Sequence, residues 1–326
     1  MTKLPKILVI VGPTASGKTS LGVALAKALN GEIISADSRL LYRGMDIGTA
    51  KPTKAERRGV PHHLIDVVDP DQTLTLSEYQ ALALAAIRDV LKRGKLPIIV
   101  GGTGLYVRAL VDNLEIPQVP PNAKLRQRLE KMPVGERLAW LESLDPAYAQ
   151  RAGHNPRFVI RALEVILATG KTMSELQRQG EPLFDALQIG LRPTMKVLEV
   201  RIARRTQAMI KAGLLKEARR LNKRYVLAGG AGEGSPKRAQ LLVSTFGEEP
   251  ATGPAGPASL TGIGYRELFP YFRGEISLDE AVRAITLHTR QYAKRQLTWF
   301  KRDTRIHWIS SPKKALVLAK KWLKSA

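Results

Sequence analysis

Eight residues near the N-terminus, Gly12-Pro13-Thr14-Ala15-Ser16-Gly17-Lys18-Thr19, match the pattern G-x-x-x-x-G-K-[ST] in full. They follow the apolar run Ile7 to Val11 and precede residues 19–29, where Leu21, Ala24, Leu25 and Ala28 recur at helical spacing. A strand, a glycine loop and a helix in that order constrain the fold more than any other feature. The loop lets backbone N–H groups close around phosphate oxygens, Lys18 adds charge, Thr19 offers a hydroxyl to Mg2+, and the helix presents its positive end. The alternation continues with strands predicted at 32–35, 63–68 and 96–100 and a helix at 77–93. The fold class this predicts is α/β: a P-loop three-layer core with a parallel sheet, its chemistry at the carboxyl ends of the strands.

Residues 1–120 read as the first part of this core. After Pro117-Gln118-Val119-Pro120-Pro121 the texture turns helical, and 121–195 is predicted to be a mostly helical insertion domain. Residues 196–326 are predicted to be a helical part packing back on the core. Within it, 196–224 is a long helical pattern broken at Gly213, and the Gly- and Pro-rich stretch at about 229–258 reads as a flexible loop. Ser277-x-x-Glu280 is a capping box opening a helix that reaches about Lys301. At 100° per residue, Arg283, Arg290, Lys294 and Lys301 of that helix fall within about 40° of one another, opposite Leu278, Val282, Ile285, Tyr292, Trp299 and Phe300.

The charge is lopsided. Residues 1–120 hold 15 Lys/Arg against 11 Asp/Glu, and residues 121–326 hold 37 against 18, so the net of +23 divides into +4 and +19. Clustered cations on the larger part point to a polyphosphate partner such as a nucleic acid; a solvated basic surface is the alternative. Cysteine is absent, which excludes a disulfide framework and a thiolate zinc site and fits a reducing, cytoplasmic setting. No window of about 18 apolar residues exists, so no membrane span is expected. The five histidines show no metal-ligand spacing.

A hydrolytic P-loop needs an apolar strand ending in a metal-binding acid. The strand at 96–100 ends instead in Gly101-Gly102-Thr103-Gly104, which argues for group transfer over an ATP-driven motor. Asp37, at the end of the second strand, is placed to accept a proton or hold a metal-bound water; capping the next turn is its other reading. The Thr103 hydroxyl is placed to meet a leaving phosphate, or simply to belong to a tight turn.

Seven blocks resemble one family: Gly12 to Thr19, Ser35 to Ser38, Tyr42 to Pro52, Gly101 to Tyr106, Arg161 to Val165, Gly262 to Arg266, and Gln291 to Phe300. In this order, over nearly the whole chain, they are similar to the bacterial tRNA dimethylallyltransferases. The resemblance implies transfer of a dimethylallyl group from dimethylallyl diphosphate to the exocyclic amine of the adenosine 3′ of the anticodon, in tRNAs reading codons that begin with U. It implies a Mg2+ requirement, a monomer, and the tRNA anticodon stem-loop as macromolecular partner. Gly12, Pro13, Thr14, Ala15, Ser16, Gly17, Lys18, Thr19 and Arg201 would hold the diphosphate, with Thr19 also on the metal. Asp37 would be the general base and Thr103 would contact substrate. Asp37, Ser38, Arg39, Leu40, Arg126, Arg157, Arg161, Gly262, Gly264, Tyr265, Arg290, Lys294, Arg295, Gln296 and Arg302 would contact tRNA. Phe158 stands where the family often has arginine, with Arg157 beside it. A small-molecule P-loop kinase and an AMP isopentenyltransferase are the competing readings.

Overall fold

The computed structural model describes residues 4–227, 257–309 and 311–325. Six strands, β1 (Lys6–Val11), β2 (Gly31–Ser35), β3 (His62–His63), β4 (Leu96–Gly101), β5 (Asp185–Leu191) and β6 (His307–Ile309), form one parallel sheet in the order β3-β2-β4-β1-β5-β6. The run Ile7 to Val11 is wholly buried, so successive side chains need apolar cover on opposite faces. Leu8 and Ile10 pack with Leu21 and Leu25 of α1 (Lys18–Ala28) and with Ala315 and Ala319. Ile7, Val9 and Val11 cluster with Tyr79 and Ile87 of α3 (Leu76–Lys92), a sequel to the short α2 (Lys54–Arg57), and with Tyr106 and Leu110 of α4 (Gly104–Val111). This is the predicted three-layer arrangement.

Five helices follow: α5 (Ala123–Lys131), α6 (Val134–Leu144), α7 (Pro146–Ala152), α8 (Pro156–Thr169) and α9 (Met173–Leu176). They enclose a core of their own, built around Leu129, Leu141, Val159, Leu163 and Val165. α10 (Met195–Lys211) and α11 (Leu214–Asn222) are separated at Gly213, whose φ of 100° ends the first and begins the second. After α12 (Leu268–Phe272), α13 (Leu278–Phe300) starts at the predicted capping box: Ser277 N donates to Glu280 Oε2 at 2.7 Å, and Glu280 N donates to Ser277 Oγ at 3.3 Å. The amphipathic α14 (Pro312–Lys324) closes the described chain. Among the described residues no helix is long and apolar enough to cross a membrane.

Three expectations are corrected. β3 stops at His63 because Leu64 and Asp66 take φ of 60° and 59°, incompatible with a strand over 63–68. β5 lies inside the range assigned to the helical insertion, so the helical segment ends before Asp185. β5 escapes a pattern search because Gln188 and Gly190 interrupt it; yet Gln188 is 2% exposed, and its amide donates to Asp303 Oδ2 at 3.4 Å. The C-terminal part also contributes a strand, β6, to the sheet. The flexible loop expected at 229–258 lies, apart from its last two residues, largely outside the described residues.

Candidate active site

β1 and β4 are hydrogen-bonded neighbours, so the loops at their carboxyl ends stand side by side. Gly17, at φ 94°, turns the P-loop into α1. Lys18 lies against Pro13 O at 3.3 Å. Desolvation lowers its ammonium from the ordinary 10.5 to about 8, with Asp37 opposing the shift and the Arg205 cation adding to it. α10 lays two arginines one turn apart on the same loop. Arg201 Nη1 donates to Ser16 O at 3.2 Å, and Arg205 Nη1 to Thr14 Oγ1 at 3.2 Å. Arg205 is a site residue the sequence reading passed over, although its i+4 spacing from Arg201 was legible. In the same loop Ser16 Oγ is buried with no hydrogen-bond partner among the described residues. A glycine loop carrying one lysine and contacted by two arginines fits a polyanion.

Asp37 caps its turn and also faces the cleft. Its Oδ1 accepts from Arg39 N at 3.0 Å, which caps the turn, while the residue also lines a cleft of about 1100 Å³ together with Thr14, Lys18, Thr19 and Arg205. Tyr106, stacked on Tyr79 with ring centroids 3.7 Å apart, lines the same cleft. Burial pushes both phenols upward, so they stay neutral. Ser38, Arg39 and Leu40 continue the wall, and Arg126, Arg157, Phe158 and Arg161 extend it onto the helical segment.

Other expected residues are largely buried. Thr103 is fully buried and does not line the cleft. Its hydroxyl accepts from Ser38 N at 3.1 Å, supporting the Asp37 turn in place of the expected substrate contact. Arg126 is 5% exposed and paired with Glu164, which also receives Arg161 at 2.6 Å, so an open tRNA contact by Arg126 is not what this arrangement offers. Gly262 packs by the Arg39 side chain, and Gly264 borders the cleft. Tyr265 is 1% exposed, and its hydroxyl donates to Glu217 Oε1 at 2.7 Å. That carboxylate also collects the backbone N–H groups of Asp46, Ile47 and Gly48. Tyr265 and Gln296, the latter also 1% exposed, are therefore internal braces and not direct contacts to a macromolecule. Tyr265→Phe is expected to lower stability by about 1.5–3 kcal/mol, since it removes one bond to a buried charge; chemical denaturation measures this, and a loss under 0.5 kcal/mol contradicts the role.

On the outer face of α13, Arg283, Arg290 and Lys294 are exposed, as are Lys301 and Arg302 just beyond it. Arg290 is paired with Glu199 at 2.7 Å, and Arg295 lies 5.9 Å from the Tyr292 ring centroid. Two glycines of the Gly101-Gly102-Thr103-Gly104 turn make room for a neighbouring helix. A Cβ on Gly102 would stand 2.2 Å from Gln296 Nε2, and one on Gly104 2.0 Å from Trp299 Nε1. These glycines admit α13.

Among the described residues no trio of His, Cys, Asp or Glu forms a ready metal cage. The Thr19 hydroxyl and the Asp37 carboxylate nevertheless offer hard oxygen atoms around one cleft. That set fits Mg2+, which takes few protein ligands and completes its shell with water and substrate phosphate.

The IPP transferase family model matches residues 40–303. The tRNA dimethylallyltransferase of Pelotomaculum thermopropionicum is 44% identical over 316 residues, covering 94% of this chain and 91% of its own. That of Roseiflexus sp. is 44% identical over 301 residues, with 91% and 90% covered. The tRNA isopentenylpyrophosphate transferase of Bacillus halodurans superposes with a TM-score of 0.66 at 36% identity, covering 98% of this chain and 95% of that one. A eukaryotic dimethylallyltransferase, captured acting on tRNA, gives 0.80 at 26% identity, with 98% and 79% covered. A P-loop ringed by arginines, an aspartate across the same cleft and these similarities over nearly the full length agree: the chain belongs to the IPP transferase family.

Proposed function

We propose that this protein transfers a dimethylallyl group from dimethylallyl diphosphate to the exocyclic amine of the adenosine 3′ of the anticodon, in tRNAs reading codons that begin with U. The observation that carries the reading is the single cleft joining the cationic P-loop to Asp37 and running on to Arg157 and Arg161. Lys18, Arg201 and Arg205 hold the diphosphate, and the apolar and aromatic wall that includes Tyr106 excludes water from the prenyl chain. The adenine is extruded from the stacked loop to reach the cleft. Its amine nitrogen attacks C1 of the donor, the C1–O bond breaks, the electron pair leaves with diphosphate, and the amine proton passes to Asp37. Mg2+ would be held by the Thr19 hydroxyl with substrate oxygens and would supply neutralisation of the leaving charge, leaving the free oxygen of Asp37 to take the proton.

Incubation with labelled dimethylallyl diphosphate and either bulk tRNA or AMP tests the reading: label is expected in tRNA. Label in AMP alone, or in neither, overturns it. The outer face of α13 gives a second measurement. Lys294→Glu combined with Arg302→Glu is expected to weaken tRNA binding and to reduce the slope of log affinity against log salt by roughly 1 to 2. Arg290→Glu alone is expected to change the slope less, because Glu199 already neutralises Arg290. An unchanged slope in the double variant means the face is only solvated.

A further inference from the structure

The reaction needs two groups at a fixed separation, the cradle that receives the leaving diphosphate and the carboxylate that takes the proton. They sit on different loops, 12–19 after β1 and 36–40 after β2, with the β4–α4 turn between them. One side chain from a distant helix ties these loops together. Gln296 of α13 is 1% exposed. Its Oε1 accepts from Thr14 N at 2.8 Å, and its Nε2 donates to Gly102 O at 2.9 Å. The next residue along the turn, Thr103, donates its N–H to Ala36 O at 3.1 Å and accepts from Ser38 N at 3.1 Å. Asp37 is thereby clamped on both sides by Thr103, and Thr103 is tied through Gly102 and one amide to the P-loop.

We propose that Gln296 is a positioning residue that sets the spacing between the diphosphate cradle and Asp37; the inference rests on the prenyl-transfer reading above. Its carboxamide suits the task, since it accepts from one loop and donates to the other at once, and no charged or purely apolar side chain does both. The bonds are buried, so water does not replace them when they are lost. The glycine at 102 leaves the room the amide occupies: any side chain there would meet Nε2 at 2.2 Å. In-line displacement is sensitive to such spacing, and a misplacement of about 1 Å costs about 10²-fold in rate.

The test compares Gln296→Leu, Gln296→Glu and Gly102→Ala with the wild type, using labelled dimethylallyl diphosphate and tRNA. Gln296→Leu is expected to lower the single-turnover rate at saturation by about 30- to 300-fold. It should leave the tRNA dissociation constant within about threefold and raise the share of donor lost to water as the free alcohol. Gln296→Glu keeps an acceptor for Thr14 N–H and loses the donor to Gly102 O. Its single-turnover rate should stay low, with the tRNA dissociation constant within about threefold of wild type. Gly102→Ala displaces the same amide without altering it, and should reproduce the fall in rate at unchanged tRNA affinity. A raised tRNA dissociation constant with an unchanged saturated rate in Gln296→Leu would make Gln296 an RNA contact and overturn the proposal. So would loss of the cooperative melting transition in both the Leu and Ala variants. Absence of turnover by the wild type on tRNA overturns the underlying functional reading instead, which keeps the two failures apart.

Discussion

Asp37→Asn is expected to reduce the single-turnover rate by roughly two to four orders of magnitude, the range of a lost general base, with tRNA affinity nearly unchanged. The separation of effects follows from where the carboxylate stands. Oδ1 is committed to Arg39 N, and an asparagine oxygen accepts that same bond, so the turn survives the substitution. Proton acceptance does not survive it, because an amide is no base at neutral pH. Rapid-quench measurement with saturating donor and tRNA isolates the step. Weaker tRNA binding at an unchanged rate would assign Asp37 to positioning.

The second large effect belongs to Lys18. Lys18→Met removes the P-loop lysine proposed to meet the diphosphate, and kcat/KM is expected to fall by about 10²–10³-fold, the usual cost of a lost preorganised donor. The titration of Lys18 gives the same residue a second signature. Desolvation holds the free ammonium near 8, so above that pH the empty site carries mostly a neutral amine. A bound diphosphate raises this value, because an opposite charge favours the protonated form. Donor binding above about 8 is therefore expected to take up a proton, and affinity to fall as pH rises through that value. Calorimetry at pH 9 in two buffers of different ionisation enthalpy should find uptake approaching one proton in the wild type and none in Lys18→Met. Equal uptake in both places the proton elsewhere.

What the chain discloses about itself depends on range. The P-loop, α1, the cap at Ser277 and the break at Gly213 are set by neighbours within a few residues, and all are readable. β5, β6 and α14 are not. β5 reads as mixed sequence because Gln188 is satisfied by a residue 115 positions away, and β6 is only three residues long. At the site, placement was legible where a residue type has few uses, as at Lys18 and Asp37, which both line the cleft. It was misleading where burial decides: Thr103, Tyr265 and Gln296 belong to conspicuous motifs, and the structure buries each. The glycines at 102 and 104 illustrate the same point, since the atoms they admit come from a helix nearly 200 positions further along.

The strand order carries a consequence for biogenesis. β1 is made first and pairs on one side with β4 and on the other with β5, which begins at Asp185. Until the ribosome has delivered that strand, the apolar run Ile7 to Val11 presents an open parallel edge, and no local hairpin can close it. Pairings this remote form slowly and leave partly made sheets prone to association. A nascent chain halted before residue 185 is therefore expected to bind holdase chaperones through its first strand, while one extended past 191 has the partner that covers it.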